Sequence, residues 1–200
     1  TNSHHRFRKY KNQIQDLQIN RPEQVWVSDI TYIGKRDKPC YLSLITDAYS
    51  KKIVGYNVSD NLNTESSLAA LRSAIKQRKH KSLALIHHSD RGLQYCANEY
   101  QKILNKNGIR PSMAQNSDPY ENAVAERVNG ILKQEFHIDK YHKDLHIMKR
   151  IIKESIDIYN EKRPHCSNHM LTPNQMHNQN KVKMKTYKTK NSTKNVFGTV

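Results

Sequence analysis

Apolar runs separated by short polar segments mark the first part of the chain. Residues 24–33, 40–47 and 52–59 are rich in Val, Ile, Tyr and Leu, and turn-forming and charged residues lie between them. Runs of this length and composition, bounded by turn signals, predict β-strands. Because the connections are short, we expect the three strands to form an antiparallel meander.

The period of the pattern changes after residue 60. Apolar residues recur at helical spacing over 65–79, and Asn63 or Thr64 supplies the N-cap of this predicted helix. Three further elements follow in the order strand, helix and strand: 83–88, 98–107 and 109–113. Three hairpin strands followed by alternating strands and helices predict an α/β fold with a mixed five-stranded sheet and helices on both faces.

The second half of the chain is mainly helical. A polar loop at 114–121 precedes a predicted helix that starts at Asp118 and Pro119, with apolar residues at helical spacing from Val124 onwards. Glu126 lies about 200° around this helix from Val124, so it points away from the apolar stripe. A further helix is predicted over 144–161.

The pattern divides the chain into three parts. Residues 1–20 are polar and basic, which predicts an arm or linker, and 21–177 form one domain that ends in a helix. Residues 178–200 are rich in Asn, Gln, Lys and Thr, and we expect a disordered basic tail. Because residue 1 is Thr, we expect the chain to be the later part of a longer protein.

The charge composition of the chain indicates a binding partner. Lys and Arg total 34 against 18 Asp and Glu, which gives a net charge of +16. Such a surface attracts nucleic acid, although a generally basic soluble protein would show the same excess. Three widely spaced cysteines argue against a disulfide framework, and no apolar run is long enough for a membrane span. We therefore expect a cytoplasmic protein.

Three carboxylates suggest the chemistry. Asp29 lies inside the apolar run VWVSDITYI, Asp90 directly follows LALIHHS, and Glu126 lies on the predicted helix. A charge in an apolar setting costs several kcal/mol unless something pairs with it, and a divalent cation is a natural partner. The three residues are therefore candidate ligands of one metal site.

Two other acidic residues compete for these places. Asp47 ends the apolar run LSLITD and is an alternative to Asp29 or Asp90, while Glu121 is an alternative to Glu126. Each also has an ordinary interpretation, as a turn residue and as a first-turn helix residue. The spacing alone does not choose between them. For the paired His87 and His88, packing is a better interpretation than metal binding for at least one ring.

From Arg21 to Pro173 the chain resembles a known family. The matching segments are QVWVSDITYI, YLSLITDAYSKKIVGY, HHSDRGLQY, GIRPSMAQNSDPYENAVAER and YNEKRPHCSNHMLTP. They resemble the integrase catalytic core of bacterial insertion-sequence transposases in the group named after insertion sequence three, which is related to retroviral integrases. The resemblance implies a ribonuclease-H-like fold for the mixed sheet.

The resemblance also implies an active site and an activity. It maps a catalytic acidic triad onto Asp29, Asp90 and Glu126, which would bind two Mg²⁺ or Mn²⁺ ions, with Asp29 bridging them. The implied activity is cleavage of DNA by water and strand transfer by a DNA 3′-hydroxyl. A ribonuclease-H-like nuclease that does not join DNA, and a catalytically decayed DNA-binding module, are the two alternatives.

The expected partners are DNA at the element ends and at the target. Synapsis of two ends implies a multimer, and the family's helix-turn-helix module is expected upstream or on a partner protein. In a bacterium the protein would then be associated with the nucleoid. Near the triad segments Arg91, Arg127 and Lys133 are candidate phosphate contacts, with solvated surface charge as the alternative, and Arg163 of YNEKRPH is assigned to DNA as well. Arg127 and the segment CSNHM depart from the family pattern.

Overall fold

A five-stranded sheet forms the centre of the part of the chain that the computed structural model describes, residues 9–34, 39–115, 122–140 and 144–179. The strands are β1 (Val25–Ile33), β2 (Cys40–Asp47), β3 (Ile53–Ser59), β4 (Leu85–Ser89) and β5 (Ile109–Met113), in the order β3-β2-β1-β4-β5. β2 is antiparallel to β1 and β3, whereas β4 runs parallel to β1 and β5. The predicted meander and mixed sheet are therefore confirmed.

Six α-helices accompany the sheet in the described ranges. They are α1 (Thr64–Gln77), α2 (Leu93–Cys96), α3 (Asn98–Lys106), α4 (Ala123–Glu135), α5 (Leu145–Lys162) and α6 (Pro173–His177). The predicted helix start at Asp118 and Pro119, and also Glu121, lie outside the described residues. No helix in the described ranges has the length and apolar composition that crossing a bilayer requires.

Side chains alternate along the strands and contribute to two cores on opposite faces of the sheet. Trp26 and Ile45 pack with buried residues of α1 and α3, while Leu42 and Leu44 pack with α4 and α5. Gly55 allows α1 to approach β3 closely, because a Cβ atom there would lie 2.8 Å from the Cβ of Ala74. The helices thus cover both faces, as the sequence predicts.

Local signals explain where the helices begin and end. The Asn63 side chain accepts a hydrogen bond from the Ser66 N–H, which caps α1, and Gly108 has a φ of 64° just after α3. The sequence analysis did not predict α2 or α6. The start of α6 is nevertheless encoded by Thr172, Pro173 and Gln175, which form a capping box with Pro at a first-turn position.

Residues 9–20 contain no helix or strand but contact the domain. The side chains of Tyr10, Ile14, Leu17 and Ile19 pack against buried clusters. The Gln13 N–H donates to Ser112 Oγ at 2.8 Å, beside β5. This part of the predicted arm is therefore attached along the sheet. The predicted tail lies outside the described residues from residue 180 onwards.

Candidate active site

The register of β1 and β4 brings two of the candidate carboxylates together. Ser28 and Ser89 are Cα partners in this parallel pair, so Asp29 and Asp90 follow them at neighbouring positions. Asp29 has the same orientation as Val25 and Val27 because side chains alternate along a strand, and this is the face that α4 covers. Both carboxylates are half-buried.

The α4 helix supplies the third carboxylate and an amide. Asn129 Nδ2 donates to Asp29 Oδ2 at 2.7 Å, which fixes α4 against the middle of β1. Glu126 lies three residues earlier on the same side of the helix and is exposed. Asn122 Nδ2 donates to the Ser28 carbonyl at 3.3 Å, just before the helix. Glu126 therefore lies on the side of α4 that faces Asp29.

The pKa of Asp29 reflects its burial and the charges of the other two candidate carboxylates. Burial raises the pKa of Asp29 from 3.8 to about 6, and the negative charges of Asp90 and Glu126 raise it as well. Hydrogen bonds from the Ile30 N–H and from Asn129 oppose this rise. The ionised form of Asp29 is therefore disfavoured in the protein alone, and a nearby cation would favour it.

Asp90 also has the turn role that its sequence context suggests. Its Oδ1 accepts a hydrogen bond from the Gly92 N–H at 2.9 Å, just before α2 begins. This bond fixes the direction of the Asp90 carboxylate at the end of β4. The structural interpretation and a ligand role are thus compatible, because a carboxylate has several acceptor positions.

The donor chemistry of the site suits a hard divalent cation. Its groups are carboxylate oxygens and the amide oxygen of Asn129, which is buried and has no hydrogen-bond partner among the described residues. In the described ranges, however, no three His, Cys, Asp or Glu side chains form a group compact enough to hold a metal ion. The residues fit such an ion by type and location, but they are not assembled as a ligand set.

The competing residue Asp47 lies elsewhere. It pairs with Trp26, three residues before Asp29, which is about 10 Å along the strand. Its carboxylate accepts hydrogen bonds from the Glu23 N–H at 2.7 Å and from the N–H and Oγ of Ser50 at 2.8 and 2.9 Å. Asp47 is thus bound by the fold itself. The other competitor, Glu121, lies outside the described residues.

Asp47 belongs to a buried group that we call the Glu23 network: Glu23, Asp47, Ser50 and His177. The Glu23 carboxylate accepts from the backbone N–H groups of Lys79 and His80 at 2.8 and 2.6 Å. His177 of α6 lies 2.9 Å from Ser50 Oγ and within 3.9 Å of both carboxylates. This network joins α6 to the start of β1 and the end of β2.

The paired histidines of β4 have structural roles. His87 Nε2 lies 2.7 Å from Ser28 Oγ and 3.0 Å from the Tyr100 hydroxyl, and burial lowers the pKa of this ring to about 3. His88 Nδ1 lies 2.9 Å from Ser112 Oγ on the neighbouring strand. A neutral, hydrogen-bonded His87 agrees with the predicted packing role.

The four candidate DNA-binding residues fall on two sides of α4. Lys133 shares the face of Glu126 at seven residues' distance, and Arg91 directly follows Asp90. Arg127 and Arg163 instead line a groove of about 430 Å³ with Val124, Val128, Ile131 and His165. Arg163 donates to both carboxylate oxygens of Glu135 at 2.6 Å. The groove is therefore separate from the carboxylates.

Asn129 at the site, and Glu23 and His177 of the Glu23 network, are not among the residues predicted from the sequence. Asn129 had a detectable signal, because it follows Glu126 by three residues and a polar residue at that spacing shares its face. Glu23 and His177 are 154 positions apart in the sequence, and neither lies in a pattern that would connect them.

Comparison with known proteins adds independent information. A family model described as an integrase core domain matches residues 19–119, and a second integrase core model matches residues 107–173. The uncharacterized 31 kDa protein of insertion element IS600 from Shigella sonnei is 37% identical over 169 residues, which are 82% of this chain and 61% of that protein. The transposase InsF for insertion sequence IS3fB from Escherichia coli is 32% identical over 167 residues, 83% of this chain and 58% of that one.

Solved structures agree with the observed topology. The HTLV-2 integrase catalytic core domain in complex with magnesium has a TM-score of 0.62 and 18% identity to this chain. The match covers 78% of this chain and 97% of that one. At this identity the likeness establishes the fold. The chain spans less than two thirds of the length of the two insertion-element relatives named above.

Proposed function

The chain belongs to the integrase core domain family of insertion-sequence transposases, with a ribonuclease-H-like fold, and on this premise we propose that it is a domain that cleaves and joins DNA. The observation that supports the proposal is that Asp29 and Asp90 follow paired positions of β1 and β4, and that Asn129, on the helix that carries Glu126, donates to Asp29. The competing residue Asp47 is instead bound by backbone donors of the fold.

Asp29, Asp90 and Glu126 would hold Mg²⁺ or Mn²⁺, and we propose two ions for the site, as the family resemblance implies. Oxygen ligands suit these cations, which take further ligands from water and substrate phosphate. When bound, the ions supply stabilisation of the charge that develops on the attacking and leaving oxygens during an in-line displacement at phosphorus. The known metal complex of a structural neighbour, HTLV-2 integrase, supports this choice.

The protein's own residues prepare the carboxylates for that role. Asn129 holds Asp29 Oδ2 and the Gly92 N–H holds Asp90 Oδ1, so both side chains are oriented before substrate binds. The raised pKa of Asp29, about 6, means that protein without a cation carries a proton there in mildly acidic solution. Binding of the cation releases that proton.

DNA is the proposed substrate, both at element ends and at the target. The net charge of +16 supports a polyanionic partner, and we assign phosphate contacts to Arg91 and Lys133 on the carboxylate side and to Arg127 and Arg163 at the groove. If about 6 to 10 phosphates are contacted, affinity falls by ~10³ to 10⁵ between 50 and 200 mM salt. A multimer on DNA, a helix-turn-helix module upstream or on a partner and association with the nucleoid complete the proposal.

A branched DNA substrate tests the reaction without knowledge of the element ends. Such a molecule places a 3′-hydroxyl beside a phosphodiester bond, so joining gives a longer labelled strand and hydrolysis gives only shorter strands. With Mn²⁺ we expect the longer product from the parent and none from Asp90→Asn. Asp47→Asn serves as the matched control and should retain the reaction in its folded fraction.

The other outcomes identify the alternatives. Only shorter strands, lost in Asp90→Asn, would indicate a nuclease without joining activity. DNA binding that is unaffected by Mn²⁺ and by Asp90→Asn, with no product, would indicate a DNA-binding module without catalysis. Either result would refute the proposed cleavage and joining.

A further inference from the structure

The groove beside α4 combines apolar and charged surface. Val124, Val128 and Ile131 of α4 contribute apolar side chains to it, and residues 163–167 and Lys51 lie in its lining as well. Its volume of about 430 Å³ lies within the range of about 300 to 1,000 Å³ that small-molecule pockets span. The groove therefore has room for a group the size of one nucleotide.

The charged residues of the groove are all cationic. Lys51, Arg127 and Arg163 line it, and no acidic residue occurs among the described residues of the lining. The chain's own segment 181–200 contains six Lys and no acidic residue, and a second copy of the chain would bring the same net charge of +16. DNA supplies the complementary charge, and its bases supply flat rings for the apolar surface.

The two arginines of the groove differ in their freedom. Arg163 Nε and Nη2 both donate to the Glu135 carboxylate at 2.6 Å, which fixes the plane of the guanidinium. Arg127 is exposed, and its side chain forms no hydrogen bond or ion pair with another residue that the structure describes. A fixed guanidinium plane is suited to stacking on a base, whereas a free guanidinium is suited to binding a phosphate.

The groove lies close enough to the carboxylates for one DNA strand to reach both. Val124 and Ile131 lie about 200° and about 140° around α4 from Glu126, so the groove is across the helix from that residue. A helix with its side chains is about 10 Å wide. Three nucleotides of a strand cover a similar distance, at about 3.4 Å each.

The groove also contains residues at which the sequence departs from the family pattern. Arg127 and the first two residues of CSNHM, Cys166 and Ser167, all line it. Departures from the pattern that are 39 positions apart in the sequence thus meet at one surface. This grouping indicates a property of this chain beyond the shared catalytic reaction.

We propose that the groove is a subsite for one unpaired nucleotide of the DNA substrate, with the base against the apolar side chains and the Arg163 guanidinium and a phosphate at Arg127. A paired base stays inside the duplex, so only an unpaired one enters the groove. This inference rests on the proposed function, because it takes DNA as the ligand.

A disulfide-trapping experiment tests where the unpaired base lies. Cys166 is exposed and lines the groove, whereas Cys40 and Cys96 are buried. Branched DNA is prepared with a thiol tether, protected as a mixed disulfide, on one base at successive positions beside the reacting phosphate. We expect Cys166 to be trapped at least about fivefold faster by an unpaired base than by the same base when it is paired. Cys166→Ser is the matched control and should give no trapped product.

Affinity measurements on two variants provide an independent test. Ser167→Trp fills the groove, and we expect its affinity for DNA with an unpaired nucleotide to fall about fivefold or more. Its affinity for duplex DNA with the same number of phosphates should equal that of the parent. Arg127→Gln should weaken binding of the unpaired DNA about tenfold. Arg110→Gln, which removes the same charge from an exposed position on β5, is its matched control. Fluorescence anisotropy at constant salt measures all four.

The outcomes separate this proposal from the proposed function. Equal trapping of paired and unpaired bases, or parent-like binding of unpaired DNA by a folded Ser167→Trp, rejects the subsite. A change in self-association of Ser167→Trp in analytical ultracentrifugation, with DNA binding unchanged, would instead make the groove an interface between copies. If unpaired bases are trapped preferentially but the parent yields no joined strand, the proposed joining activity fails and the subsite remains.

Discussion

Two groups of carboxylates lie beside the central sheet and differ in what binds them. In the Glu23 network, two fully buried carboxylates accept hydrogen bonds from four backbone N–H groups and one hydroxyl, and His177 lies against both. At the other location, Asp29 receives a side-chain bond from Asn129 and a backbone bond from Ile30, while Asp90 and Glu126 oppose its charge. Hydrogen bonds within the fold satisfy the carboxylates of the Glu23 network, whereas the charge of Asp29 is opposed by its neighbours.

The difference distinguishes structural acids from candidate ligands better than burial does. Asp47 is more deeply buried than Asp29, yet two backbone N–H groups and a hydroxyl donate to its carboxylate. Asp29 is only half-buried, and its pKa is raised to about 6. An acidic side chain that accepts few hydrogen bonds and lies beside other acidic side chains is suited to binding a cation.

The largest expected effect on DNA joining comes from substitutions of Asp29, Asp90 and Glu126. Asp29→Asn, Asp90→Asn and Glu126→Gln each remove a charge that would hold the cation, and we expect joining of branched DNA to fall at least about 100-fold, since metal ions contribute several kcal/mol to such reactions. The stability of these variants without cation should be equal or higher. Activity within tenfold of the parent would reject the assignment of that residue.

The pH dependence of stability tests the same residue by a different property. Since the pKa of Asp29 is higher in the folded state, about 6 against 3.8, the stability that its protonation contributes is complete below about pH 4 and is lost as pH rises through 6. Relative to that of the parent, the free energy of unfolding of Asp29→Asn should rise by up to about 3 kcal/mol across this interval. Urea unfolding with a chelator between pH 4 and 7.5 measures the difference. A constant difference would contradict the raised pKa.

Asp47→Asn should have the opposite phenotype. The amide replaces one of the two acceptor oxygens by a donor, which then faces either the Glu23 N–H or the donors of Ser50, so we expect a loss of about 1–3 kcal/mol in the free energy of unfolding. The reaction rate of the folded fraction should remain that of the parent. Urea unfolding and the branched-DNA assay on the same preparation measure both. A fully stable variant without activity would make Asp47 the better ligand candidate.

The smallest effect is expected at Asn129. Asn129→Ala removes the side-chain donor to Asp29, and we expect Mn²⁺ affinity to fall about tenfold. Asn122→Ala is the matched control, because its amide donates to a backbone carbonyl and leaves Asp29 bonded. Equal Mn²⁺ affinity for both variants would show that Asn129 only fixes the helix.

The sequence predicts the sheet well because its elements have local signals. The strands of the meander, the Asn63 cap and Gly108 can all be recognised from neighbouring residues. The location of Asp29 beside Asp90 depends instead on the β1–β4 register, which joins residues 61 positions apart. The family resemblance supplied that pairing. The hydrogen bond from Asn129 to Asp29 depends on tertiary packing, which no local pattern encodes.

The Glu23 network also sets an order for folding during synthesis. Every strand of the sheet lies before residue 114. Two partners of Ser50 come later in the chain: its Oγ contacts His177 of α6, and its carbonyl accepts from Asn168 Nδ2 at 2.6 Å. A nascent chain that has already paired its strands therefore still lacks the contacts that enclose Asp47. The domain is completed only when the residues up to His177 have left the ribosome, so translation beyond the last strand is a required step of its maturation.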